Sequence, residues 1–478
     1  MNYRMIARIL GLVLLLLAAL MLLPLGAGLC YGESVAHFLL SIGVAGALGG
    51  LLLCVRPKSE TLYARDGFAA VSLAWLAMGA LGALPFYLSG DIPVFTDALF
   101  ESFSGFTTTG ATTLERVEDM SRGCLFWRLF SQWIGGMGVL IFMMAVMPMN
   151  GEHSMHIMRA EFPGPTVGKL VPRVRQTARV LYRIYLALTV LETLLLLAGG
   201  LDFYEALLHA FATAGTGGFS TRTGSIAAFG SLYVELVTAV FALLFSTNFH
   251  LFFLILVGRA RSVLKNEELR WYLGLAAFAS LSIAWNIRPM YGSFAAALRH
   301  AFFNTSMVMT TSSFNTVDYT LWPPYARFAL VLLMITGACA GSTCGGLKLS
   351  RLIMLLKAAR AELRRMARPR SVVRVQMDGR RVDGDTIRAV QTFFLLYVLL
   401  ILLCTLLLSL GGRDTATNLT ASIACLSNIG PGMGLIGPAG NYNVFSPAAK
   451  MLLCLVMLLG RLELYPILVL LSPSTWRR

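Results

Sequence analysis

The chain has 478 residues, of which 57% are hydrophobic and only 13% are charged. Because about a quarter of the residues in a soluble domain are charged, this composition excludes a soluble globular protein and indicates a polytopic membrane protein. The formal net charge of +15 would suit a nucleic-acid-binding protein, but the basic residues lie in short loops between apolar runs of spanning length. The positive-inside rule accounts for them without a nucleic acid.

The first apolar run, residues 9–29, follows Arg4 and Arg8 and therefore imitates a secretory signal. It is about twice as long as the apolar region of a signal peptide. Leu29 before Cys30 also lacks the small-residue context that cleavage or lipidation requires. We therefore interpret this run as a retained first membrane helix.

Apolar segments long enough to cross a bilayer recur along the whole chain. The predicted crossings are residues 9–29, 35–55, 67–88, 125–148, 178–199, 232–257, 271–287, 326–349, 388–410 and 446–472. The loops on one side, around residues 56–66, 150–177, 258–270 and 350–388, are rich in Arg and Lys. The positive-inside rule assigns these loops, and with them both termini, to the cytoplasm.

Four shorter segments on the opposite side form an internal repeat. They align without gaps and read DALFESFSGFTTTGAT (97–112), EALLHAFATAGTGGFS (205–220), HAFFNTSMVMTTSSFN (300–315) and TNLTASIACLSNIGPG (417–432). Gly110, Gly218 and Gly430 fall at one aligned position, where the third segment has Ser313. Acidic residues around the first segment predict an outer mouth that concentrates cations. They are Asp91, Asp97, Glu101, Glu115, Glu118 and Asp119.

Each of these segments is an amphiphilic stretch that ends in a run of Thr, Ser, Gly or Asn between two spanning helices. Non-helical backbone at membrane depth must be buried in protein or line a water-filled path. Four such loops converging on one axis would form a ring of carbonyl oxygens that replaces the hydration shell of a cation. Glycine is favoured there because inward-facing carbonyls need backbone angles that a Cβ penalises. Helix-packing glycines are the alternative, but they do not explain a polar loop repeated between long apolar helices.

Five motifs occur in a fixed order and carry a resemblance that covers essentially the whole chain. They are SGFTTTGAT (104–112), TGGFST (216–221), GACAGSTCGGLKLSR (337–351), SNIGPGMG (427–434) and GRLELYP (460–466). With them the chain resembles the TrkH/KtrB family of bacterial potassium-uptake proteins, in its TrkH branch.

The resemblance implies an all-α polytopic membrane fold in which two leading helices (1–60) precede four repeats of helix, pore helix, filter loop and helix around one pore. The implied repeats are residues 61–150, 151–262, 263–357 and 388–478, with a basic cytoplasmic linker at 358–387. The selectivity filter implied by the motif match comprises Thr108, Thr109, Gly110, Thr216, Gly217, Gly218, Thr311, Ser312, Ser313, Asn428, Ile429 and Gly430.

The same resemblance implies function and partners. The expected activity is potassium uptake across the bacterial inner (plasma) membrane, with K+ as the transported ion and no bound organic cofactor. The expected partners are a second copy in a homodimer and a cytosolic nucleotide-binding, TrkA-like regulatory ring. The basic stretch 357–381 would face that ring, and it also suits anionic lipid headgroups of the membrane.

A small-residue segment, TGACAGSTCGGLK (336–348), interrupts the predicted crossing that follows the third repeat segment. Its four glycines each cost a helix about 1 kcal/mol relative to alanine, which favours an unwound or mobile break. The resemblance makes it an intramembrane gate containing Gly341, Ser342, Thr343, Gly345, Gly346 and Lys348. Close helix packing through small residues is the alternative, and Lys348 would then extend to the membrane interface. A P-loop is disfavoured because Leu347 separates the glycine from the lysine.

Arg461 lies inside the last apolar run, where a cation is costly and usually functional. By its match to the family motif it belongs to the gate and would project into the pore near the small-residue segment. The alternative is a structural ion pair with Glu463 or Glu192. We favour the pore-facing role because Glu463, two residues away, lies on a different face of a helix.

Two other signals are weak. His153 and His156 form an H-x-x-H pair in a basic loop, but without acidic or cysteine neighbours a solvated loop is favoured, and we expect no transition metal. No catalytic dyad emerges, so an enzyme is disfavoured.

Ser313 keeps a second transport function open, namely a sodium or mixed monovalent cation transporter with relaxed selectivity. A non-glycine residue reaches the left-handed region at a cost of about 1–2 kcal/mol, so the third loop can keep its path. Passive conduction and symport with protons or sodium both remain compatible with the sequence.

Overall fold

The computed structural model describes residues 1–55, 63–138, 174–368 and 374–473. Within these ranges the regular secondary structure is helical apart from one antiparallel hairpin of β1 (Gln376–Met377) and β2 (Arg380–Arg381). His153 and His156 of the H-x-x-H pair, and the end of the predicted crossing 125–148, lie outside the described residues.

Three helices at the N-terminus form the first two crossings. They are α1 (Tyr3–Leu20), α2 (Leu22–Cys30) and α3 (Ala36–Leu53). The first two make a single apolar span, Tyr3–Cys30, and α1 packs against α3. A Cβ on Gly11 would lie 2.8 Å from the carbonyl oxygen of Gly49, so these small residues let the two backbones approach.

The remaining helices repeat one order, in which a buried helix of 12–16 residues, the short buried helix of each set, and a loop lie between two other helices. The first set is α4 (Ala64–Gly82), α5 (Leu84–Ser89), α6 (Phe95–Phe106) and α7 (Arg122–Met137). The second is α8 (Val174–Ala198), α9 (Phe203–Gly215), α10 (Leu232–Phe245) and α11 (Phe249–Leu256).

After the short helix α12 (Ala260–Leu264), the third set is α13 (Glu267–Tyr291), α14 (Phe294–Met309), α15 (Pro324–Thr336) and α16 (Leu349–Ala367). The fourth is α17 (Gly384–Ser409), α18 (Thr415–Leu426), α19 (Pro447–Arg461) and α20 (Tyr465–Leu471).

Side chains fix where the short buried helices begin. Asp202, Ser293 and Asp414 cap α9, α14 and α18 by accepting hydrogen bonds from backbone N–H groups in the first turn. In α6 the first-turn residue Asp97 instead binds the ammonium of Lys450 at 2.6 Å. A carboxylate at a helix N-terminus also interacts favourably with the helix dipole.

Five described helices are long and apolar enough to cross a bilayer, and the bent pair α10 and α11 would add a sixth. Three of the predicted crossings are interrupted, and the sequence predicts one of these breaks, in 326–349. The run 232–257 bends by 90° between its two helices, 326–349 stops being helical after Thr336, and 446–472 breaks between Arg461 and Tyr465. Hydropathy averages over a window, so it misses local left-handed residues such as Glu463 (φ 54°) and Leu464 (φ 64°).

Candidate functional site

All four short helices end in the same backbone arrangement. At each end, one loop residue donates its N–H to the carbonyl oxygen three residues back, and the next residue donates to the carbonyl oxygen five residues back, which is the Schellman motif. The hydrogen bonds that reach five residues back are Thr109 N to Ser104 O (2.8 Å), Gly217 N to Ala212 O (2.9 Å), Ser312 N to Met307 O (2.9 Å) and Ile429 N to Ala424 O (2.8 Å). The four predicted filter loops therefore leave their helices in the same direction.

Left-handed residues recur at two aligned positions of these loops. The first position is held by side-chain-bearing residues, Thr108 (φ 57°), Thr216 (φ 55°), Thr311 (φ 55°) and Asn428 (φ 54°). The second is held by Gly110 (φ 76°), Gly218 (φ 73°), Ser313 (φ 58°) and Gly430 (φ 91°). Ser313 thus adopts the backbone conformation of the three glycines, as the sequence predicts, at a cost of about 1–2 kcal/mol.

The four loops contact one another in a closed order, which we call the ring (residues 108–110, 216–218, 311–313 and 428–430). Each loop meets the next through a residue at the second left-handed position. A Cβ on Gly110 would lie 1.9 Å from Gly217 O, one on Gly218 would lie 1.9 Å from Ser312 O, and one on Gly430 would lie 2.6 Å from Thr109 O. The third and fourth loops join through the hydroxyl of Ser313, which donates to Ile429 O. The glycines are therefore required by close backbone approach rather than by helix packing.

The Ser313 side chain also reaches across the ring. Its Oγ lies 2.9 Å from the carbonyl oxygen of Thr109, which belongs to the loop on the opposite side. Two carbonyls of the ring, from Thr109 and Ile429, are thereby within hydrogen-bonding reach of one hydroxyl. A glycine in the third loop would leave these oxygens without that donor.

A buried ion pair behind the ring was missed by the sequence analysis. Glu101 of α6 and Arg128 of α7 are 0% and 2% exposed, and Arg128 Nε lies 3.0 Å from Glu101 Oε2. Glu101 accepts hydrogen bonds from the first loop, including one from Thr113 N at 2.7 Å. The guanidinium of Arg128 stacks 3.5 Å from the ring centre of Phe219, next to the second filter segment. The pair therefore braces the first two loops together.

Other buried polar groups brace the rest of the ring. Gln132 accepts from Phe219 N at 3.0 Å, and Tyr442 donates to Gly430 O at 2.6 Å. The side-chain amide of Asn428 donates to Thr109 Oγ1 at 3.0 Å, which ties the fourth loop to the first. Nothing in the local sequence around Arg128 or Gln132 marks them, because their partners lie on other helices and loops, far away along the chain.

The small-residue segment lies against the same ring. We call residues 337–348 the Gly-rich loop. Gly345 N donates to Thr311 Oγ1 at 3.0 Å, and a Cβ on Gly345 would lie 2.1 Å from Ser427 O. Gly341 O accepts from Phe249 N at 3.0 Å at the start of α11, and Ser342 Oγ donates to Cys339 O at 2.6 Å. Gly346 (φ 76°) lies against Gly337, which brings the two ends of the loop together.

Arg461 bridges the ring, the Gly-rich loop and α7. Its guanidinium donates to the carbonyl oxygens of Thr343 (2.6 Å), Gly135 (2.5 Å) and Gly136 (2.6 Å) and lies 3.3 Å from Thr108 Oγ1. Glu463, which the sequence offered as an alternative partner, instead pairs with Arg351. The arginine therefore lies where the Gly-rich loop meets the first loop of the ring.

Lys348 does not reach the membrane interface. It is 1% exposed, and its ammonium folds back to donate to the carbonyl oxygen of Cys344 inside the Gly-rich loop. The interfacial alternative for this lysine is therefore wrong. Its backbone is left-handed (φ 73°), so the lysine forms part of the turn that leads into α16.

The face around the first repeat segment is less acidic than the sequence predicts, because two of its carboxylates are paired with buried cations. Asp97 binds Lys450 and Glu101 binds Arg128. Glu118 stays exposed on the loop after the first filter segment and accepts from Thr223 N at 2.7 Å. Burial raises the pKa of Glu118, but the hydrogen bonds from Thr223, a further backbone hydrogen bond and the charge of Arg116 together leave the pKa below its usual value. The described residues hold no cluster of three or more His, Cys, Asp or Glu suited to a metal ion.

Comparison with known proteins agrees with this architecture. The sequence profile of the TrkH family, described as cation transport protein, matches residues 35–281 and 291–477. The chain is 37% identical to the Trk system potassium uptake protein TrkH of Escherichia coli over 486 residues, and 36% identical to TrkH of Halomonas elongata over 492 residues. Each alignment covers 100% of both chains.

The crystal structure of the potassium transporter TrkH from Vibrio parahaemolyticus superposes with a TM-score of 0.90 at 34% identity and covers 100% of each chain. The resemblance and the all-helical polytopic fold predicted from the sequence are thereby confirmed. This chain belongs to the TrkH family of cation transport proteins.

Proposed function

We propose that this protein takes up potassium ions across the bacterial inner membrane, acting as a transporter and not as an enzyme. The observation that carries the proposal is the closed ring of four loops, each with two left-handed residues at aligned positions. Carbonyl oxygens held in such a ring can replace the hydration shell of K+. The names of its relatives, which are potassium uptake proteins, support K+ as the transported ion.

The twelve residues of the ring are the proposed selectivity filter, and the axis that they surround is the proposed pore. The C-terminal ends of α6, α9, α14 and α18 lie directly before the four loops. Because the C-terminal end of a helix dipole is negative, these ends add to the attraction for a cation at the ring. The division into two leading helices and four pore repeats, joined by the basic linker 358–387, belongs to this proposal.

The Gly-rich loop and Arg461 are the proposed gate. The loop contacts the ring through Gly345 and is held by the Arg461 guanidinium through Thr343 O. A cation leaving the ring towards the cytoplasm would meet this loop and the positive charge beside it. Conduction therefore requires both the Gly-rich loop and the Arg461 side chain to move.

A homodimer and a cytosolic nucleotide-binding ring complete the proposal, with both termini in the cytoplasm. Exposed arginines support a cytosolic contact surface, because they lie along α16 and the hairpin that follows it. They are Arg360, Arg364, Arg365, Arg380 and Arg381. The same charges suit anionic lipid headgroups at that membrane face.

Ion flux into proteoliposomes tests the proposal. Purified protein should carry K+ and Rb+ in preference to Na+ and Li+. Gly110→Arg or Gly430→Arg should abolish that flux, because both positions meet backbone of a neighbouring loop. Gly230→Arg is the matched control, since Gly230 is also left-handed (φ 58°) but faces open space. The proposal fails if folded wild-type protein carries none of these cations.

A sodium or mixed-cation transporter is the second candidate, favoured by the Ser313 hydroxyl that reaches two carbonyls of the ring. The same flux assay separates the candidates. A potassium to sodium permeability ratio near unity would replace the potassium-specific proposal with this one.

A further inference from the structure

Both ends of the Gly-rich loop are held by a single carboxylate oxygen. Oε1 of Glu268, in the first turn of α13, accepts from Ala340 N at 2.8 Å and from Ser350 N at 3.1 Å. Ala340 lies near the start of the loop, and Ser350 lies just beyond its end. Glu268 is 6% exposed, so this contact is buried in the protein. Hydrogen bonds to a charged acceptor are stronger than those between neutral groups.

The middle of the loop contacts the proposed conduction path. Gly345 N binds Thr311 of the ring, and Thr343 O accepts from Arg461. The loop also accepts from Phe249 N at 3.0 Å, at the bend between α10 and α11. A shift of the two ends that Glu268 holds would therefore move the part of the loop beside the ring.

The same first turn of α13 is clamped from the cytoplasmic side by the β1–β2 hairpin. Asp378, in the turn of the hairpin, accepts from Asn266 Nδ2 at 3.0 Å and from Glu267 N at 2.6 Å. Lys357 of α16 pairs with Glu267 at 2.5 Å and donates to Gln376 O at 2.8 Å. The exposed hairpin is thus attached to the residues directly before Glu268.

We propose that Glu268 is the positioning residue that holds the Gly-rich loop against the ring, and that the hairpin transmits displacements at the cytoplasmic surface to Glu268 through Asp378. This inference rests on the proposed gate and adds the residue that sets its resting position. The two hydrogen bonds of Glu268 go to Ala340 N and Ser350 N and not to the ring, so its loss changes how often the path is open and leaves the choice of ion unaltered.

Rubidium flux through purified full-length protein in proteoliposomes tests the role of Glu268. Glu268→Ala removes both hydrogen bonds and should raise basal flux by at least about tenfold, since even one charge-assisted hydrogen bond accounts for that factor, with the potassium to sodium ratio unchanged. Glu268→Gln keeps an oxygen acceptor but loses its charge, so it should raise flux by a smaller factor than Glu268→Ala. Asp378→Ala should raise flux by a smaller factor. Glu362→Gln, which alters an exposed carboxylate paired with Arg365 on α16, is the matched control and should have no effect.

A second readout uses native thiols as reporters of the loop. Cys339 and Cys344 in the Gly-rich loop are 0% and 2% exposed, whereas Cys30 and Cys54 are exposed. In a Cys30→Ser, Cys54→Ser background, Glu268→Ala should speed maleimide labelling of the peptide that carries Cys339 and Cys344. Mass spectrometry of that peptide would measure the rate, again with Glu362→Gln as the control.

Wild-type flux and labelling in folded Glu268→Ala protein would overturn the inference, and so would a changed potassium to sodium ratio. If wild-type protein carries no cation at all, the proposed function fails. The labelling result still reports whether Glu268 holds the loop, so the two failures are distinguishable.

Discussion

The ring and the Gly-rich loop both place non-helical backbone deep in the protein, but they are held by different means. The ring is built four times over, with a Schellman ending and two left-handed positions in each loop. The Gly-rich loop lies between α15 and α16, and side chains from other elements hold it, Glu268 from α13 and Arg461 from α19. The difference teaches that the ring is fixed by its own backbone and its close neighbours, whereas the Gly-rich loop depends on a few side-chain contacts. We therefore expect the loss of one such contact to release the loop.

The largest expected effect tests how firmly the ring is braced. Arg128→Leu leaves Glu101 buried without its cation, which costs about 3–5 kcal/mol of stability. Thermal unfolding in detergent should show this loss, and any folded fraction should lose its preference for K+. The double variant Glu101→Leu, Arg128→Leu should recover part of the stability, because no unpaired charge remains. Arg365→Gln, at an exposed pair, should leave unfolding unchanged. An Arg128→Leu protein as stable as wild type would show that the pair does not brace the loops.

A second expected effect tests the close backbone approach in the ring. Gly110→Ala would place a Cβ 1.9 Å from Gly217 O at a left-handed residue. Strain and overpacking together cost at least about 2 kcal/mol, so potassium flux should fall by about thirtyfold or more. Gly90→Ala carries the same left-handed strain (φ 83°) in open space and should keep normal flux. Equal flux in the two variants would contradict the ring geometry.

A third, intermediate effect tests how Arg461 holds the Gly-rich loop. Arg461→Ala removes the hydrogen bonds to Thr343 O and to the end of α7. Rubidium flux should rise by about tenfold with unchanged ion preference, because the loop is released while the ring keeps its backbone. Arg413→Ala is the control, since this exposed arginine donates to Val444 O and neither residue belongs to the Gly-rich loop or the ring. A fall in flux, or a change in the potassium to sodium ratio, would mean that Arg461 belongs to the ring and not to the gate.

The smallest expected effect distinguishes the third loop from the other three. Ser313→Gly removes the hydroxyl that donates to the carbonyl oxygens of Thr109 and Ile429 and relieves the left-handed strain. The potassium to sodium permeability ratio should rise by about threefold, which corresponds to one neutral hydrogen bond. A ratio that stays constant or falls in bilayer recordings would show that the serine has no part in ion choice.

Much of the candidate site was readable from the sequence, because its signals are local. The gapless repeat placed all four loops and identified Ser313 as the residue at the glycine position, and the structure gives it the same left-handed backbone. The glycines of residues 337–348 predicted a break in a crossing, and the helix does end at Thr336. Helix continuity was predicted less well, since the bend between α10 and α11 lies within an uninterrupted apolar run.

By itself, then, the sequence determined the membrane class, the order of the repeated elements and the left-handed backbone at the glycine position of the loops, since hydropathy and glycine preference act over a few neighbouring residues. Only the tertiary structure decided that the loops close into a ring, that Glu101 pairs with Arg128, and that Glu268 holds both ends of the Gly-rich loop. Those contacts join residues on different helices and loops. Their energies depend on which buried donor meets which acceptor after packing, and no local pattern specifies that choice.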